Sequence, residues 1–290
     1  MDFCLFRKPR MGLEDRLTHM IDPPAKSKRV AVIGGGVAGM EAALTAANRG
    51  HSVTLYEKTD HLGGQLLHAD YPAFKWPLRN FKDYMIRQTR KADIAVKLNT
   101  EATPAAIKAE GFDAVILACG SVPQTLEIPV PKGNKIWLPL EVYGHESDLG
   151  SRVVVTGGGE IGAETALYLA ECGHQVTLLT RKSRIAPDAT CTHYREMFEE
   201  RWSAQPNFQY ILEVQVEKIT KTGVVYRDAA GVSAEIPADS VVTSAGRKPL
   251  SEFAFRFFDC AEECYIVGDC KRPGNVQTCM RTSYAAASRI

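Results

Sequence analysis

The chain contains the same 28-residue pattern twice, and this repeat limits the folds open to it. Residues 30–57 align without gaps on residues 153–180, with 15 of the 28 positions identical. Each copy runs from an apolar, β-branched stretch through a glycine turn and a helix-forming stretch to a second apolar stretch. That order predicts strand, helix and parallel strand, which is the βαβ unit. Because the copies begin 123 residues apart, they predict two separate domains rather than a solenoid.

The composition excludes several classes of function. The 290 residues are enough for two domains, and 35 basic against 34 acidic residues leave a net charge of +1, which gives no basis for binding nucleic acid or an anionic membrane. The longest apolar run, residues 30–40, is about half the ~20 residues of a membrane span. The N-terminal residues do not form a signal peptide, and eight cysteines in such a chain are typical of reduced thiols. We therefore expect a cytoplasmic protein.

The first copy carries the spacing G-x-G-x-x-G at Gly34, Gly36 and Gly39. In such a turn the first glycine permits a sharp bend, the second lets the backbone approach a pyrophosphate, and the third lets helix and strand pack closely. The helix N-terminus adds unpaired N–H groups and a partial positive charge. Glu57 ends the second strand, where a carboxylate can accept hydrogen bonds from both hydroxyls of an adenosine ribose. These features predict a dinucleotide site.

The second copy repeats the three glycines, as Gly157, Gly159 and Gly162. The position equivalent to Glu57 is Thr180, followed by Arg181, Lys182 and Arg184. A free ribose 2′-hydroxyl requires an acceptor at this position, whereas a 2′-phosphate requires cations. The pattern therefore favours NADP(H) over NAD(H), although a solvated basic loop explains the same charges. Two dinucleotide sites in one chain indicate a hydride relay between two nucleotides.

Beyond the glycine turns, the chain resembles the flavoproteins with two dinucleotide-binding domains. Four segments carry the resemblance: His61-Leu62-Gly63-Gly64-Gln65-Leu66, Ala118-Cys119-Gly120, Ser244-Ala245-Gly246-Arg247-Lys248-Pro249 and Gly268-Asp269. The resemblance implies FAD at the first glycine turn, held by Gly34, Gly36, Gly39, Glu57, Lys58, Gly64, Gln65, Ala118, Gly120, Gly268 and Asp269. It implies NAD(P) at the second, held by Gly157, Gly159, Gly162, Thr180, Arg181, Lys182 and Gly246.

The same resemblance implies an α/β fold of two Rossmann-like three-layer domains, arranged as in glutathione reductase, with the second inserted in the first. The FAD-binding domain is expected at 28–122 plus 245–290 and the NAD(P)-binding domain at 123–244, with residues 1–27 as an arm or linker. Within the second domain, short β-rich pieces around Gly223 and Gly231 predict hairpins.

The strings EKTDHLGGQLLHAD and IVGDCKRPGNVQTCMRTSYAAASRI are similar to the C-terminal half of one family. This is the 2,4-dienoyl-CoA reductase, trimethylamine dehydrogenase and enoate reductase family. Complete members begin with an old-yellow-enzyme-like barrel that carries FMN and a cysteine-ligated [4Fe-4S] cluster. The barrel is absent from this chain, and only Cys4 precedes the first glycine turn, so both groups are expected only on a missing barrel part or on a barrel partner.

The resemblance thus implies an oxidoreductase module that passes hydride from NAD(P)H to FAD and electrons onward. The residues themselves assign no catalytic acid, base or metal site. The chain has no C-x-x-C, and we expect Cys260, Cys264, Cys270 and Cys279 to be buried core thiols. Cys119 is either close to the flavin or a small buried side chain. The alternative function is a non-catalytic ADP-binding or nucleotide-binding structural domain, or a fragment of a longer reductase. A visible absorption spectrum would distinguish a flavoprotein from an ADP-binding domain.

Overall fold

The computed structural model describes residues 23–187, 189 and 192–290, so most of the predicted arm lies outside the described residues. The chain divides into two compact units. One consists of the described residues up to Val122 together with Lys248–Ile290, and the other of Pro123–Arg247. The second unit is therefore inserted in the sequence of the first.

The first segment alternates strands with helices. In chain order its elements are β1 (Arg29–Ile33), α1 (Val37–Arg49), β2 (Ser52–Tyr56), α2 (Leu66–Ala69), a 3₁₀ turn (Ala73–Lys75), α3 (Trp76–Lys91), β3 (Ile94–Lys97), α4 (Pro104–Glu110), β4 (Ala114–Leu117) and β5 (Ser121–Pro123). Helix α1 ends at Gly50, whose φ of 98° lets its N–H group reach the carbonyls of Ala46 and Ala47. The apolar residues of β1 and β4 are buried, as expected for strands covered on both faces.

The inserted unit has its own parallel sheet and an added antiparallel layer. Its elements are β6 (Ile136–Trp137), two 3₁₀ turns (Pro139–Glu141 and Glu146–Asp148), β7 (Arg152–Thr156), α5 (Glu160–Glu171), β8 (Gln175–Leu179), α6 (Thr192–Ser203), β9 (Phe208–Ile211), β10 (Gln215–Ile219), β11 (Gly223–Arg227), β12 (Ser233–Pro237) and β13 (Ser240–Thr243). The parallel sheet has the order β6-β13-β7-β8-β9, and β10-β11-β12 form the antiparallel sheet. Apolar residues of the two sheets share one core cluster, which includes Val154, Val224 and Val241.

The chain then returns to complete the first unit. The last elements are β14 (Arg247–Pro249), α7 (Ser251–Phe255), β15 (Glu263–Ile266), a 3₁₀ turn (Gly268–Cys270) and α8 (Val276–Ala287). Strand β15 adds to the edge of the first parallel sheet, which has the order β15-β4-β1-β2-β3. Strands β5 and β14, where the chain crosses between the units, pair with each other.

Both faces of the first sheet are covered. On one face, Val30, Val32 and Ile116 pack with apolar residues of α1, α3 and α8. On the other face, Ala31 and Val115 pack with residues of α4 and α7. The predicted fold class, two α/β dinucleotide-binding domains with the second inserted in the first, is confirmed. Among the helices of the described residues, none combines the length and the apolarity that a membrane crossing requires.

Candidate nucleotide-binding sites

The first glycine turn connects β1 directly to α1. Gly34 has a φ of 108°, and its N–H group donates to the Tyr56 carbonyl at 2.8 Å. A Cβ atom at Gly34 would lie 2.4 Å from the Ala118 carbonyl oxygen, and one at Gly39 would lie 1.8 Å from the Gly34 carbonyl oxygen. Side chains are therefore excluded at both positions, as the motif predicts. Gly36 is the N-cap of α1, and the first N–H groups of a helix have no acceptor within it.

A second glycine pair packs against this turn. Gly63 forms a β-bridge with Gly36 and donates its N–H group to the Gly35 carbonyl at 2.9 Å. Gly64 has a φ of 55°, and a Cβ atom there would lie 2.9 Å from the Gly36 Cα atom. A Cβ atom at Gly36 itself would meet nothing closer than 3.9 Å. The backbones of Gly36 and Gly64 therefore lie against each other. Apart from its two chain neighbours, no described side chain lies within 4 Å of the position that a Gly36 Cβ atom would occupy.

Glu57 lies at the carboxyl end of β2 and is held in place by the backbone. One carboxylate oxygen accepts a hydrogen bond from the Gly35 N–H group at 2.7 Å. The other accepts from the N–H group and the hydroxyl of Thr59, both at 2.9 Å. Glu57 is 8% exposed, and the side chain of the adjacent Lys58 is exposed. Gly35 and Thr59 thus hold the carboxylate beside the glycine turn.

Asp269 lies on the segment that follows β15. Its carboxylate accepts hydrogen bonds from the Ser121 hydroxyl at 3.1 Å and from the Gly274 N–H group at 3.0 Å. The Gln65 side-chain amide donates to the Ser121 carbonyl at 3.2 Å, so Gln65 and Asp269 both form hydrogen bonds with Ser121. Gly268 has a φ of 61°, and a Cβ atom there would lie 2.6 Å from the Ala38 Cβ atom.

The segment after β4 completes this region. The Ala118 N–H group donates to the Ile33 carbonyl at 2.8 Å. Gly120 has a φ of 77°, and its carbonyl accepts from the Leu250 N–H group at 3.1 Å. All eleven residues predicted for the first site lie on the four segments 34–39, 57–65, 118–120 and 268–269, which contact one another.

The second glycine turn repeats the geometry of the first inside the inserted unit. Gly157 has a φ of 105° and donates to the Leu179 carbonyl at 2.8 Å. A Cβ atom at Gly157 would lie 2.1 Å from the Ser244 carbonyl oxygen, and one at Gly162 would lie 1.9 Å from the Gly157 carbonyl oxygen. Gly159 is the N-cap of α5. The equivalent glycines therefore meet the same constraint in both copies of the repeat.

Thr180 takes the place of Glu57 in this unit. A Cβ atom at Gly158 would lie 2.8 Å from the Thr180 hydroxyl oxygen, which accepts a hydrogen bond from the Lys182 N–H group at 3.2 Å. The side chains of Arg181 and Lys182 are exposed. Gly246, the last residue predicted for this site, has a φ of 100° and its carbonyl accepts from the Gln124 N–H group at 2.9 Å.

The structure adds residues that sequence reasoning did not name. Thr59 and Ser121 fix the two carboxylates of the first site. In the second unit, the Ala186 N–H group donates to the Gly158 carbonyl at 2.8 Å, which attaches the basic loop to the glycine turn. No sequence pattern marks Ser121 or Ala186, although a hydroxyl two residues after Glu57 is a local signal that points to Thr59. Within the described ranges, no group of three or more His, Cys, Asp or Glu side chains could hold a metal ion.

The chain is similar to several known oxidoreductases. The chain is 35% identical over 269 residues to bilirubin reductase from Mediterraneibacter gnavus, and the aligned region covers 92% of this chain and 42% of that protein. It is 34% identical over 287 residues to NADH oxidase from Thermoanaerobacter brockii, which covers 97% and 44%. The structure of 2-naphthoyl-CoA reductase in complex with 2-naphthoyl-CoA superposes with a TM-score of 0.90 at 31% identity, covering 98% of this chain and 43% of that one.

The chain thus spans less than half the length of these relatives, and the similarity reaches across both of its units. Residues 28–283 match the family described as pyridine nucleotide-disulphide oxidoreductase, which binds FAD and NAD(P)H. The chain therefore belongs to the pyridine nucleotide-disulphide oxidoreductase family, and it is a flavoprotein oxidoreductase with two Rossmann-type domains.

Proposed function

We propose that this chain is an NAD(P)H-dependent FAD oxidoreductase module that passes hydride from NADPH to FAD and electrons onward to a partner. The observation that carries the proposal is the first site. A cradle without side chains at Gly36 and Gly64 lies beside a carboxylate, Glu57, that the backbone already holds. A second fixed carboxylate, Asp269, lies on a segment that contacts α1.

These residues fit an FAD molecule. The open space at Gly36 and the first N–H groups of α1 suit a pyrophosphate, because the helix N-terminus carries a partial positive charge. Glu57 suits the adenosine ribose: its Oε2 atom accepts one hydrogen bond, from the Gly35 N–H group, and has a lone pair left for a ribose hydroxyl, whereas Thr59 occupies the Oε1 atom with two hydrogen bonds. Asp269 suits the ribityl end, where its carboxylate can accept from a hydroxyl. FAD, when bound, accepts hydride and delivers electrons singly.

The role of the chain is to bind and orient the two nucleotides. Hydride transfer requires no protein acid or base, so a catalytic residue is not needed for this step. The hydrogen bonds of Gly35 and Thr59 keep Glu57 from turning away, and those of Ser121 and Gly274 do the same for Asp269. Such preorganisation lowers the entropy cost of binding.

The electron acceptor is proposed to be an old-yellow-enzyme-like barrel, either a domain or a separate subunit, with FMN and a [4Fe-4S] cluster. The support is the greater length of the relatives, of which this chain covers 42–44%. Two relatives are named for the reduction of bilirubin and cinnamate. The proposed location is the cytoplasm, where NADPH is available.

We propose NADPH as the preferred hydride donor. Thr180 offers a hydroxyl where the first unit offers a carboxylate, so a 2′-phosphate meets no negative charge at this position. The exposed guanidinium of Arg181 follows directly and can pair with phosphate through two parallel hydrogen bonds. Charge-assisted contacts of this kind contribute ~1.5–3 kcal/mol, or roughly a ten- to hundredfold preference.

The first test is the cofactor content of the Glu57→Ala variant. The unmodified protein is expected to be yellow, and loss of a ribose hydrogen bond to a charged group is expected to weaken FAD binding by ~10–100-fold. The measurement is FAD retention after dialysis, with Glu252→Ala as the control, because the Glu252 side chain is 85% exposed. A colourless protein that binds ADP would establish the structural-domain alternative. Undiminished FAD in Glu57→Ala would refute the site.

The second test compares kcat/KM for NADPH and NADH with one artificial acceptor. We expect the NADPH preference to shrink ~10-fold or more in Arg181→Ala, because the phosphate contact is removed. Lys221→Ala is the matched control, since Lys221 is an exposed cation of the same unit that follows β10. Equal kcat/KM values for the two nucleotides, or a preference unchanged by Arg181→Ala, would identify Arg181 as an ordinary surface residue.

A further inference from the structure

The two units resemble each other beyond the 28-residue repeat, at the residues that follow β3 and β9. Strand β3 pairs in parallel with β2, and β9 pairs in parallel with β8, so the two strands occupy the same place in their sheets. Two residues after each strand, the backbone turns left-handed at a residue other than glycine. These residues are Asn99, with a φ of 50°, and Glu213, with a φ of 56°.

In the first unit, Asn99 holds the loop that follows Glu57. The Glu57 N–H group donates to the Lys97 carbonyl at 2.9 Å, which continues the hydrogen bonding between β2 and β3. The N–H groups of Asn99 and Thr100 then donate to the carbonyls of Thr59 and Glu57, at 2.8 and 2.9 Å. Successive N–H groups of an extended strand point to opposite sides. Both groups reach the same loop because Asn99, which lies between them, is left-handed.

The second unit repeats these three hydrogen bonds at equivalent residues. The Thr180 N–H group donates to the Ile211 carbonyl at 3.1 Å. The Glu213 N–H group donates to the Lys182 carbonyl at 3.2 Å, and the Val214 N–H group donates to the Thr180 carbonyl at 3.0 Å. The left-handed residue therefore has the same backbone contacts in both units.

The peptide unit that is held in this way also orients the side chain at the predicted ribose position. In the first unit the Thr59 N–H group donates to the Glu57 carboxylate at 2.9 Å. In the second unit the Lys182 N–H group donates to the Thr180 hydroxyl oxygen at 3.2 Å. In each unit, one backbone hydrogen bond thus connects the left-handed residue to the residue that orients this side chain.

The contribution of these positions is backbone conformation. The side chains of Asn99 and Glu213 are exposed, and asparagine adopts the left-handed region several times more often than most residues, whereas glutamate does not. The third described residue other than glycine with a positive φ is Ala186, at 44°, which donates to the Gly158 carbonyl of the second glycine turn. In the part of the chain that the structure describes, such backbone is therefore concentrated at the two predicted nucleotide sites. Unfavourable backbone of this kind is retained where the surrounding structure fixes it, commonly at binding sites.

We propose that Asn99 and Glu213 are positioning residues that set the affinity of the chain for its two nucleotides. The left-handed backbone of Asn99 holds the loop that directs Glu57 at the FAD ribose. The left-handed backbone of Glu213 holds the basic loop, which begins at Thr180, against the NADP(H) ribose. The inference rests on the proposed function, because it takes FAD and NADP(H) as the molecules bound at the two sites.

The test in the second unit is the dissociation constant of NADP⁺, measured by calorimetry on the full chain with its FAD. Valine is branched at Cβ and is disfavoured in the left-handed region, so Glu213→Val should withdraw the N–H group from Lys182. Loss of this hydrogen bond should weaken NADP⁺ binding ~3–10-fold. Glu213→Gln is the matched control, because it removes the charge but keeps an unbranched side chain. Glu213→Gln and Glu213→Gly should both bind NADP⁺ like the unmodified protein.

The first unit provides an independent pair of variants. Asn99→Val should weaken FAD binding ~3–10-fold, whereas Asn99→Gly should retain FAD, because glycine adopts the left-handed region freely. Thermal unfolding checks that each variant folds, and either unit tests the inference if the valine variant of the other does not fold. Amide hydrogen exchange of the nucleotide-free chain follows the backbone alone. Residues 180–182 should exchange faster in Glu213→Val than in Glu213→Gly.

A positioning role changes the binding of one nucleotide, whereas a general loss of structure changes both. Glu213→Val should therefore leave FAD binding unchanged, and Asn99→Val should leave NADP⁺ binding unchanged. Valine variants that bind their nucleotides as tightly as the glycine variants, or that weaken both nucleotides equally, would overturn the inference. So would an unmodified chain that binds neither nucleotide. The proposed function is tested separately, since it is wrong if the FAD-loaded unmodified chain binds NADPH but does not oxidise it.

Discussion

Glu41 lies inside helix α1, 8% exposed, with the Thr45 hydroxyl donating to its carboxyl group at 3.3 Å. Burial raises the pKa of this carboxyl group from 4.5 to about 8. Between these values the folded protein holds a proton that the unfolded chain has released. The contribution of Glu41 to stability is therefore fully present below pH 4.5 and is lost as the pH rises through about 8.

Replacing Glu41 with Gln should remove this pH dependence. At pH 5 the two proteins should differ little, whereas at pH 9 Glu41→Gln should be more stable by on the order of 3–5 kcal/mol. The measurement is the free energy of unfolding in urea between pH 5 and 9. Glu252→Gln, on the exposed side of α7, should follow the unmodified protein. Parallel pH profiles for the unmodified protein and Glu41→Gln would show that Glu41 is ionised in the folded state.

Single residues could be predicted where one short motif defines them. They could not be predicted where their contacts depend on which strands are neighbours in the sheet. Glu57 and Thr180 were identified because each ends a strand of the repeat. The hydrogen bond between Ser121 and Asp269 depends on β4 and β15 being neighbours, which no local pattern shows. Glu41 is a similar case, because a charged residue on a helix is ordinarily exposed. It is buried here since α1 packs against the sheet, α3 and α8 together.

At the scale of elements, two glycines of the first glycine turn are required for different reasons. Gly39 must lack a side chain for the fold itself, because its Cβ atom would lie 1.8 Å from the Gly34 carbonyl oxygen. Gly36 has an ordinary extended backbone, with a φ of −73°, and a Cβ atom there would meet nothing closer than 3.9 Å. Glycine is therefore required at position 36 by the pyrophosphate proposed to bind there and not by the fold.

Alanine substitutions should separate these two roles. Gly39→Ala should destabilise the protein by ~3 kcal/mol or more, since the backbone must move apart to admit the methyl group. Gly36→Ala should fold with nearly unchanged stability and retain less FAD. Thermal unfolding and FAD content measure the two effects, and Gly162→Ala should reproduce the Gly39→Ala loss in the second unit, where the contact is 1.9 Å. Equal unfolding temperatures for Gly36→Ala and Gly39→Ala would contradict this account.

The elements of the repeat could be predicted because each is long, apolar and bounded by glycine. Val30 pairs with Val53, and at the same offset Val153 pairs with Val176, so the two copies share even their register. The short elements were harder to predict. Gly231 occupies the predicted hairpin turn, with a φ of 83°, but Gly223 lies within β11, where the Ile236 carbonyl leaves no space for a side chain. Tertiary packing rather than local sequence fixes such a position.

At the scale of the whole molecule, two complete glycine turns in two units distinguish a two-nucleotide protein from a single nucleotide-binding domain. The superposition on 2-naphthoyl-CoA reductase covers 98% of this chain but only 43% of that protein. Under the proposed function, the C=C bond is reduced on an old-yellow-enzyme-like barrel, and the two units described here supply the electrons. NADPH oxidation and substrate reduction should therefore be separable here.

We expect the purified chain to reduce an artificial acceptor such as ferricyanide with NADPH but to leave an enoyl or dienoyl thioester unchanged. Ferricyanide accepts single electrons from reduced flavin without a dedicated binding site, whereas hydride delivery to a C=C bond requires a pocket that orients the substrate. The measurements are ferricyanide reduction by absorbance and thioester content by chromatography, both under nitrogen. Glu57→Ala should lose dye reduction in proportion to its lost FAD. That variant links dye reduction to the first site. If the unmodified chain reduced the thioester robustly, and this activity also followed its FAD content, the C=C chemistry would belong to this chain. The proposed division between module and barrel would then be wrong.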